Sequence, residues 1–210
     1  SLLIAGTVDV AGTTNLDIVD IDGAVNMATT ALVTGVLTTT AAAVFNGGFT
    51  SNADTNTFTS ANASDPLVII KNTANDASGA RLSFQKDRGA NAADGDDIGT
   101  ITFIGDNNAQ EQTNYGSIVV EVSESQDTDE AGKMSFFVAE SNGTASQLTA
   151  GLIIEGEHAT DGEVDVTIAA GTASTTTVSG NLAVTTQLTA TSGAVSAPTY
   201  SFVGDTDTGI

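Results

Sequence analysis

Seven short runs of strand character, separated by turn chemistry, fill residues 65–168 and constrain this chain more than any other feature. They are Leu67–Lys71, Ala80–Gln85, Ile98–Ile104, Tyr115–Val122, Lys133–Ala139, Leu148–Glu155 and Glu163–Ile168. Several alternate by side chain, as in Ile101-Thr102-Phe103-Ile104, Lys133-Met134-Ser135-Phe136 and Val164-Asp165-Val166-Thr167-Ile168, which is the period of a half-buried strand. The breaks hold Asn75-Asp76-Ala77-Ser78-Gly79, Gly105-Asp106-Asn107-Asn108, Asn142-Gly143 and Asp161-Gly162. These residue types tolerate positive φ or hydrogen-bond their own backbone. Seven strands at this spacing suggest a sandwich or an antiparallel sheet for the block 64–168.

The flanks have another texture. In residues 1–63, Gly12, Gly23, Gly35 and Gly47 recur at intervals of 11, 12 and 12 residues. Between them lie Thr7–Val10, Leu16–Ile21, Ala31–Val33 and Val36–Thr39, short β-branched or alternating pieces. A helix across Met27–Phe45 is disfavoured by Thr29, Thr30, Val33, Thr34, Gly35, Val36 and Thr38–Thr40, each costing several tenths of a kcal/mol there. Dispersed Ile, Leu, Val and Phe argue against disorder, although Thr50–Ala63 reads as a loose linker. Residues 169–210 repeat the pattern, with glycines at 171, 180, 193 and 204. A strand-and-turn unit of this kind cannot bury its apolar edge alone and gains stability by stacking on neighbours or winding with identical chains. Composition agrees: only 5% of residues are aromatic and none is Trp. At roughly 25 cal/mol per Å² buried, such side chains make a thin monomeric core.

The net charge of −21 is unevenly placed. Residues 1–63 carry five Asp and no Lys or Arg, residues 64–168 carry 19 acidic and all five basic residues, and residues 169–210 carry only Asp205 and Asp207. Charge of this sign repels phosphate backbones, so no nucleic-acid partner is expected. Two acidic loops, Asp94-Gly95-Asp96-Asp97 and Asp127-Thr128-Asp129-Glu130, combine hard oxygen ligands with a pliable backbone, the chemistry calcium prefers. Asp94, Asp96 and Asp97 are therefore the candidate metal ligands, and calcium is the one cofactor the sequence raises. The competing reading is a pair of solvated hairpin tips, since their spacing is not that of a helix-loop-helix calcium loop. Arg81, Lys86 and Arg88 stand just upstream and read as ion-pair partners of the first loop.

His158 is the only histidine. It reads as a surface turn residue, and only on a threefold axis would three copies meet to make a ligand set. Cysteine is absent, which removes disulfides and thiolate chemistry. Neither a signal peptide nor an apolar run of bilayer length is evident, so no membrane insertion is expected. The chain opens at Ser1 and stops at Ile210 in mid-pattern, as a part of a longer polypeptide would.

The last sixteen residues, Val195-Ser-Ala-Pro-Thr-Tyr-Ser-Phe-Val-Gly-Asp-Thr-Asp-Thr-Gly-Ile210, resemble a box in trimeric tail fibres and related structural proteins of marine, cyanophage-like tailed phages. There, Ala-Pro, an aromatic-bearing strand and Gly-Asp-x-x-Thr-Gly-Ile introduce a further β module. The glycine-punctuated flanks are similar to the shafts of those fibres. The resemblance implies a parallel homotrimer, all-β, with intertwined β-helix- or β-prism-like shaft segments (1–63 and 169–210) flanking the small antiparallel β-sandwich, a knob or spacer. It implies a virion location, extracellular in action, with other tail or baseplate proteins and a host cell-surface receptor as partners. The shaft apolars expected to form the trimer core are Val8, Val10, Leu16, Ile18, Ile21, Leu32, Val36, Val178, Leu182 and Val184. A head or collar fibre, or a non-phage surface filament, belongs to the same class.

Two other classes remain to be weighed. A receptor- or glycan-binding lectin-like module, calcium-assisted through the first acidic loop, would make adsorption sensitive to chelator. A polysaccharide depolymerase would need two carboxylates flanking a glycosidic bond, and nothing singles out a pair among so many. With no phosphate loop, nucleophile elbow or metal-ligand cluster, an enzyme is not expected and no catalytic residue is assigned.

Overall fold

The computed structural model describes residues 31–158, 162–171 and 173–189, the single positions Ala11 and Val25, and the backbone of two short strands at 201–202 and 205–209. The chain divides into two compact units, Ser1–Val68 and Ile69–Ile210. All regular structure among the described residues is β, with no helix.

The second unit is built on one sheet. Strands β1 (Asp97–Asp106), β2 (Gln112–Glu124), β3 (Ala131–Ser141), β4 (Ser146–Gly156) and β5 (Val164–Ile168) follow one another across it, every neighbour antiparallel. Such a meander needs only hairpin connections, and local side chains close them. Asn107 accepts from the amides of Ala109 (2.8 Å) and Glu111 (3.0 Å) between β1 and β2. The Glu124 carboxylate accepts from the Ser125 and Gln126 amides, both at 2.9 Å, where β2 turns toward β3. Asn142 accepts from Thr144 (2.9 Å) and Ala145 (3.0 Å) between β3 and β4. Gly143 there has φ +87°, a left-handed conformation open to glycine at no steric cost. Two further strands, β6 (Ser201–Phe202) and β7 (Asp205–Gly209), pair antiparallel within the terminal box.

Register sorts the sheet into two faces, because directly opposed residues share a face and successive residues alternate. One row runs Ile101, Ile118, Phe136, Leu152, Ile168 and the next Gly99, Val120, Met134, Ile154, Val166. The opposite face carries Thr100, Val119, Ser135, Ile153 and Thr167, and beside them Asp97, Glu121, Lys133, Glu155 and Asp165. Burial on the apolar face is incomplete: Ile118, Val120, Phe136, Leu152 and Ile154 in the central strands are half-buried. Ser135 (1% exposed) and Ser117 (5%), on the mixed face, are the two buried polar side chains, whereas Val138, Val166 and Ile168 on the apolar face are each more than half exposed. Among the described residues no hydrophobic side chain is buried.

Five of the seven expected strands are present, each within or close to its expected bounds. The other two, Leu67–Lys71 and Ala80–Gln85, are not strands. Their composition suits a strand, but neither finds a ladder partner among the described residues, and Leu67, Val68, Ile69, Ile70, Leu82 and Phe84 stay exposed. Of the two expected forms, sandwich and antiparallel sheet, the described strands of this block make the second, one five-stranded antiparallel sheet, with Phe84 from the second run resting beside Gly99 on its apolar row. In the flanks, Ala31–Val33 and Val36–Thr39 are irregular as well, as are residues 174–178 and 181–184. The pieces Thr7–Val10 and Leu16–Ile21 lie outside the described residues.

Candidate functional site

The first acidic loop is drawn onto the sheet by its own backbone. Gly95 donates to the Val122 carbonyl at 2.8 Å and Val122 donates to the Asp96 carbonyl at 2.9 Å, so the β1–β2 ladder continues past β1. Gly95 sits at φ +81°, which lets the loop turn there. The three carboxylates then separate. The Asp94 Oδ1 accepts from the Ser125 amide (3.0 Å) and hydroxyl (2.8 Å) across the loop after β2. Asp96 accepts from the Ala93 amide at 2.9 Å and from Arg88 at 2.5 Å, with Lys86 Nζ at 3.8 Å. Asp97 enters β1 opposite Glu121.

The Ala93 amide, followed by the Arg88 hydrogen bond and the charges of Arg88 and Lys86, holds the Asp96 carboxyl below its ordinary 3.8 against the opposing effect of partial desolvation. Asp96 is thus an ion-pair anchor for the chain entering β1, and the upstream cations balance the loop as their spacing leads one to expect. Arg81 makes no ion pair among the described residues. Among the described residues no three His, Cys, Asp or Glu side chains are grouped to hold a metal ion. Of the second loop, Asp129 lies 3.4 Å from His158 Nδ1, which ties the turn after β2 to the end of β4.

A second charged feature crosses the sheet. The row Asp97, Glu121, Lys133, Glu155, Asp165 places one cation among four carboxylates. Lys133 Nζ bonds Glu121 Oε2 at 3.1 Å, and Glu155 accepts from the Ser123 hydroxyl. Sequence reading missed this row. Its only linear signal is the acidic and basic alternation within each run, and a β-bulge between Phe136 and Phe137 shifts the β3–β4 register, so counting back from the Asn142-Gly143 turn misaligns Lys133 and Glu155.

A groove of about 830 Å³ opens where the chain leaves β5. Val138, Glu140, Gln147 and Thr149 form one wall, and Ile168 to Gly171 with Ser174 to Thr176 the other. Ala169 donates to the Gly151 carbonyl at 2.9 Å and holds the exit against β4. Glu140 is the one ionisable lining group, accepting from Gln147 (2.5 Å) and Thr149 (3.4 Å). Among the described residues the groove offers one carboxylate, where glycosidic cleavage uses two, and no aromatic ring.

Of the expected trimer-core residues, Leu32 and Val36 are almost fully exposed, and Val178, Leu182 and Val184 are about half exposed or more. Val8, Val10, Leu16, Ile18 and Ile21 lie outside the described residues. No described helix is long and apolar enough to cross a membrane. No protein-family model and no curated protein matches this chain.

Proposed function

We propose that this chain is a structural and adhesive segment of a trimeric phage fibre, acting in host attachment or virion architecture. One observation carries the reading: a regular five-stranded meander with no buried apolar side chain among the described residues. Burial of apolar surface is the dominant favourable term in folding, so such a chain gains its stability from contacts outside itself. Copies of the same chain, wound in parallel about a threefold axis, supply them. Leu32, Val36, Val178, Leu182 and Val184 then face the axis in shafts on either side of the sheet, and the sheet is the knob or spacer between them. Tail or baseplate proteins anchor such a segment, and a host surface receptor is contacted through many identical weak sites, which gain affinity from effective concentration. The mechanism is geometric and includes no catalytic step.

Light scattering on the purified chain tests this. Three times 21.0 kDa is the expected mass, with elongated particles by electron microscopy. A stable, cooperatively folding species of 21.0 kDa would refute the reading.

A further inference from the structure

We infer that the apolar face of the β1–β5 sheet is an interface with a second copy of this chain, and that the mixed, acidic face points outward. The inference rests on the self-assembling reading above and adds which surface of the sheet does the joining. Three observations converge on it.

The first is incomplete burial. Ile118, Val120, Phe136, Leu152 and Ile154 on the apolar face are only half-buried, and Met134, Val138, Val166 and Ile168 on it are 38%, 59%, 55% and 58% exposed. A sheet face of this composition stays in water only when its covering layer comes from elsewhere. The second is size. Four strands of 10, 13, 11 and 11 residues and one of five, about 4.8 Å apart and rising about 3.3 Å per residue, cover on the order of 700–800 Å². A stable interface takes about 600–1,000 Å² from each partner, so the whole face falls within that range.

The third is charge, and it selects the occupant. The chain carries −21, and a copy approaching through the mixed face would set the Asp97, Glu121, Glu155, Asp165 row against its own like. The two apolar rows hold no charged side chain, Glu140 lying beyond them two residues past Val138 on β3, so they are the part of the sheet on which identical, strongly acidic chains can meet without opposing carboxylates. Their pattern is also self-complementary, because interlocking Ile, Leu, Val, Phe and Met side chains needs no donor and acceptor matching.

The natural absence of cysteine gives a direct test on the whole chain. Val166→Cys places a thiol on the apolar face of β5, and Thr167→Cys places one on the opposite face, both at positions exposed in the single chain. Light scattering gives the mass of each variant, and a maleimide gives its labelling rate in buffer and in urea. The expected result is a multimer in which Val166→Cys labels about tenfold more slowly than Thr167→Cys, the difference vanishing in urea. A multimer in which both thiols label alike overturns the inference while leaving fibre assembly through the shafts intact. A 21.0 kDa species with a protected Val166→Cys thiol also overturns it, because another segment of the same chain then covers the face. A 21.0 kDa species with both thiols free overturns both readings. Phe136→Asp is a second check: loss of assembly, with Thr102→Asp remaining multimeric, supports the interface, and retention of the multimer in Phe136→Asp counts against it.

Discussion

Gly99 shows how one missing side chain positions a segment. A Cβ there would lie 2.8 Å from the Phe84 Cβ and 3.0 Å from its Cγ, so the ring of Phe84 rests where any larger residue would stand. Gly99→Val is expected to displace Phe84 and loosen the approach to β1, at a cost of about 1–3 kcal/mol if the packing cannot adjust. Faster tryptic cleavage at Lys86 and Arg88, with an unchanged far-ultraviolet spectrum, would register it. Asp96 acts on the same approach by charge. Its folded-state pKa lies below 3.8, so the carboxylate favours the folded loop. That contribution is complete above the unfolded pKa and is lost only as pH falls through the lower, folded value. A carboxyl titration by NMR should place the Asp96 midpoint on the acid side of 3.8, and Arg88→Ala should move it upward. A midpoint indifferent to Arg88→Ala would mean the ion pair is not made in solution.

Elements in this molecule are joined by their turns and by the rows between strands. Asn142 satisfies two amides of the β3–β4 turn, and each hydrogen bond contributes about 1 kcal/mol net. Asn142→Ala should lower the unfolding free energy by an amount of that order, read as a lower urea midpoint at unchanged slope, whereas Asn108→Ala, at a residue that makes no side-chain hydrogen bond in the β1–β2 loop among those of the described residues, should leave it nearly unchanged. Lys133 performs the comparable task across strands. It stands directly opposite both Glu121 and Glu155 in a row otherwise acidic, and an opposite-charge cross-strand pair contributes roughly 0.2–1 kcal/mol. Lys133→Ala is expected to cost up to about 1 kcal/mol at low salt. The difference should shrink in ~1 M salt, where the screening length is about 3 Å. Denaturation of the two proteins at both ionic strengths checks this, and a salt-independent difference would assign the loss to packing of the Lys133 stem.

At the scale of the whole molecule, folding and association are predicted to be one event. The sheet alone leaves its apolar rows in water, so the denaturation midpoint should rise with protein concentration, as it does when only the folded state associates. Melting curves recorded at several dilutions decide the matter. A midpoint independent of concentration would separate assembly from folding and would require a core that the described residues do not contain. Residues 67–71 and 80–85 fit the same picture. They have strand composition and exposed apolar side chains but no partner strand among the described residues, and a chain whose ladders are completed by its neighbours would carry segments of this kind.

Alternation of side chains and turn residues determined, from sequence alone, the five strands of the meander and the hairpins between them, because both signals are local: period two sets the faces of a strand, and Asn, Asp and Gly close a turn with their own atoms. The partner role of Arg88 and Lys86 was legible for the same reason, lying eight and ten residues from Asp96. Tertiary structure alone decided the rest. Whether Leu67–Lys71 and Ala80–Gln85 become strands depends on a ladder partner, which composition cannot supply. The charged row across the sheet depends on register, which bulges at Phe103/Ile104, Val122/Glu124 and Phe136/Phe137 alter one residue at a time. The choice of one sheet over a sandwich, with its apolar face left to solvent, depends on what other surface is present to cover it.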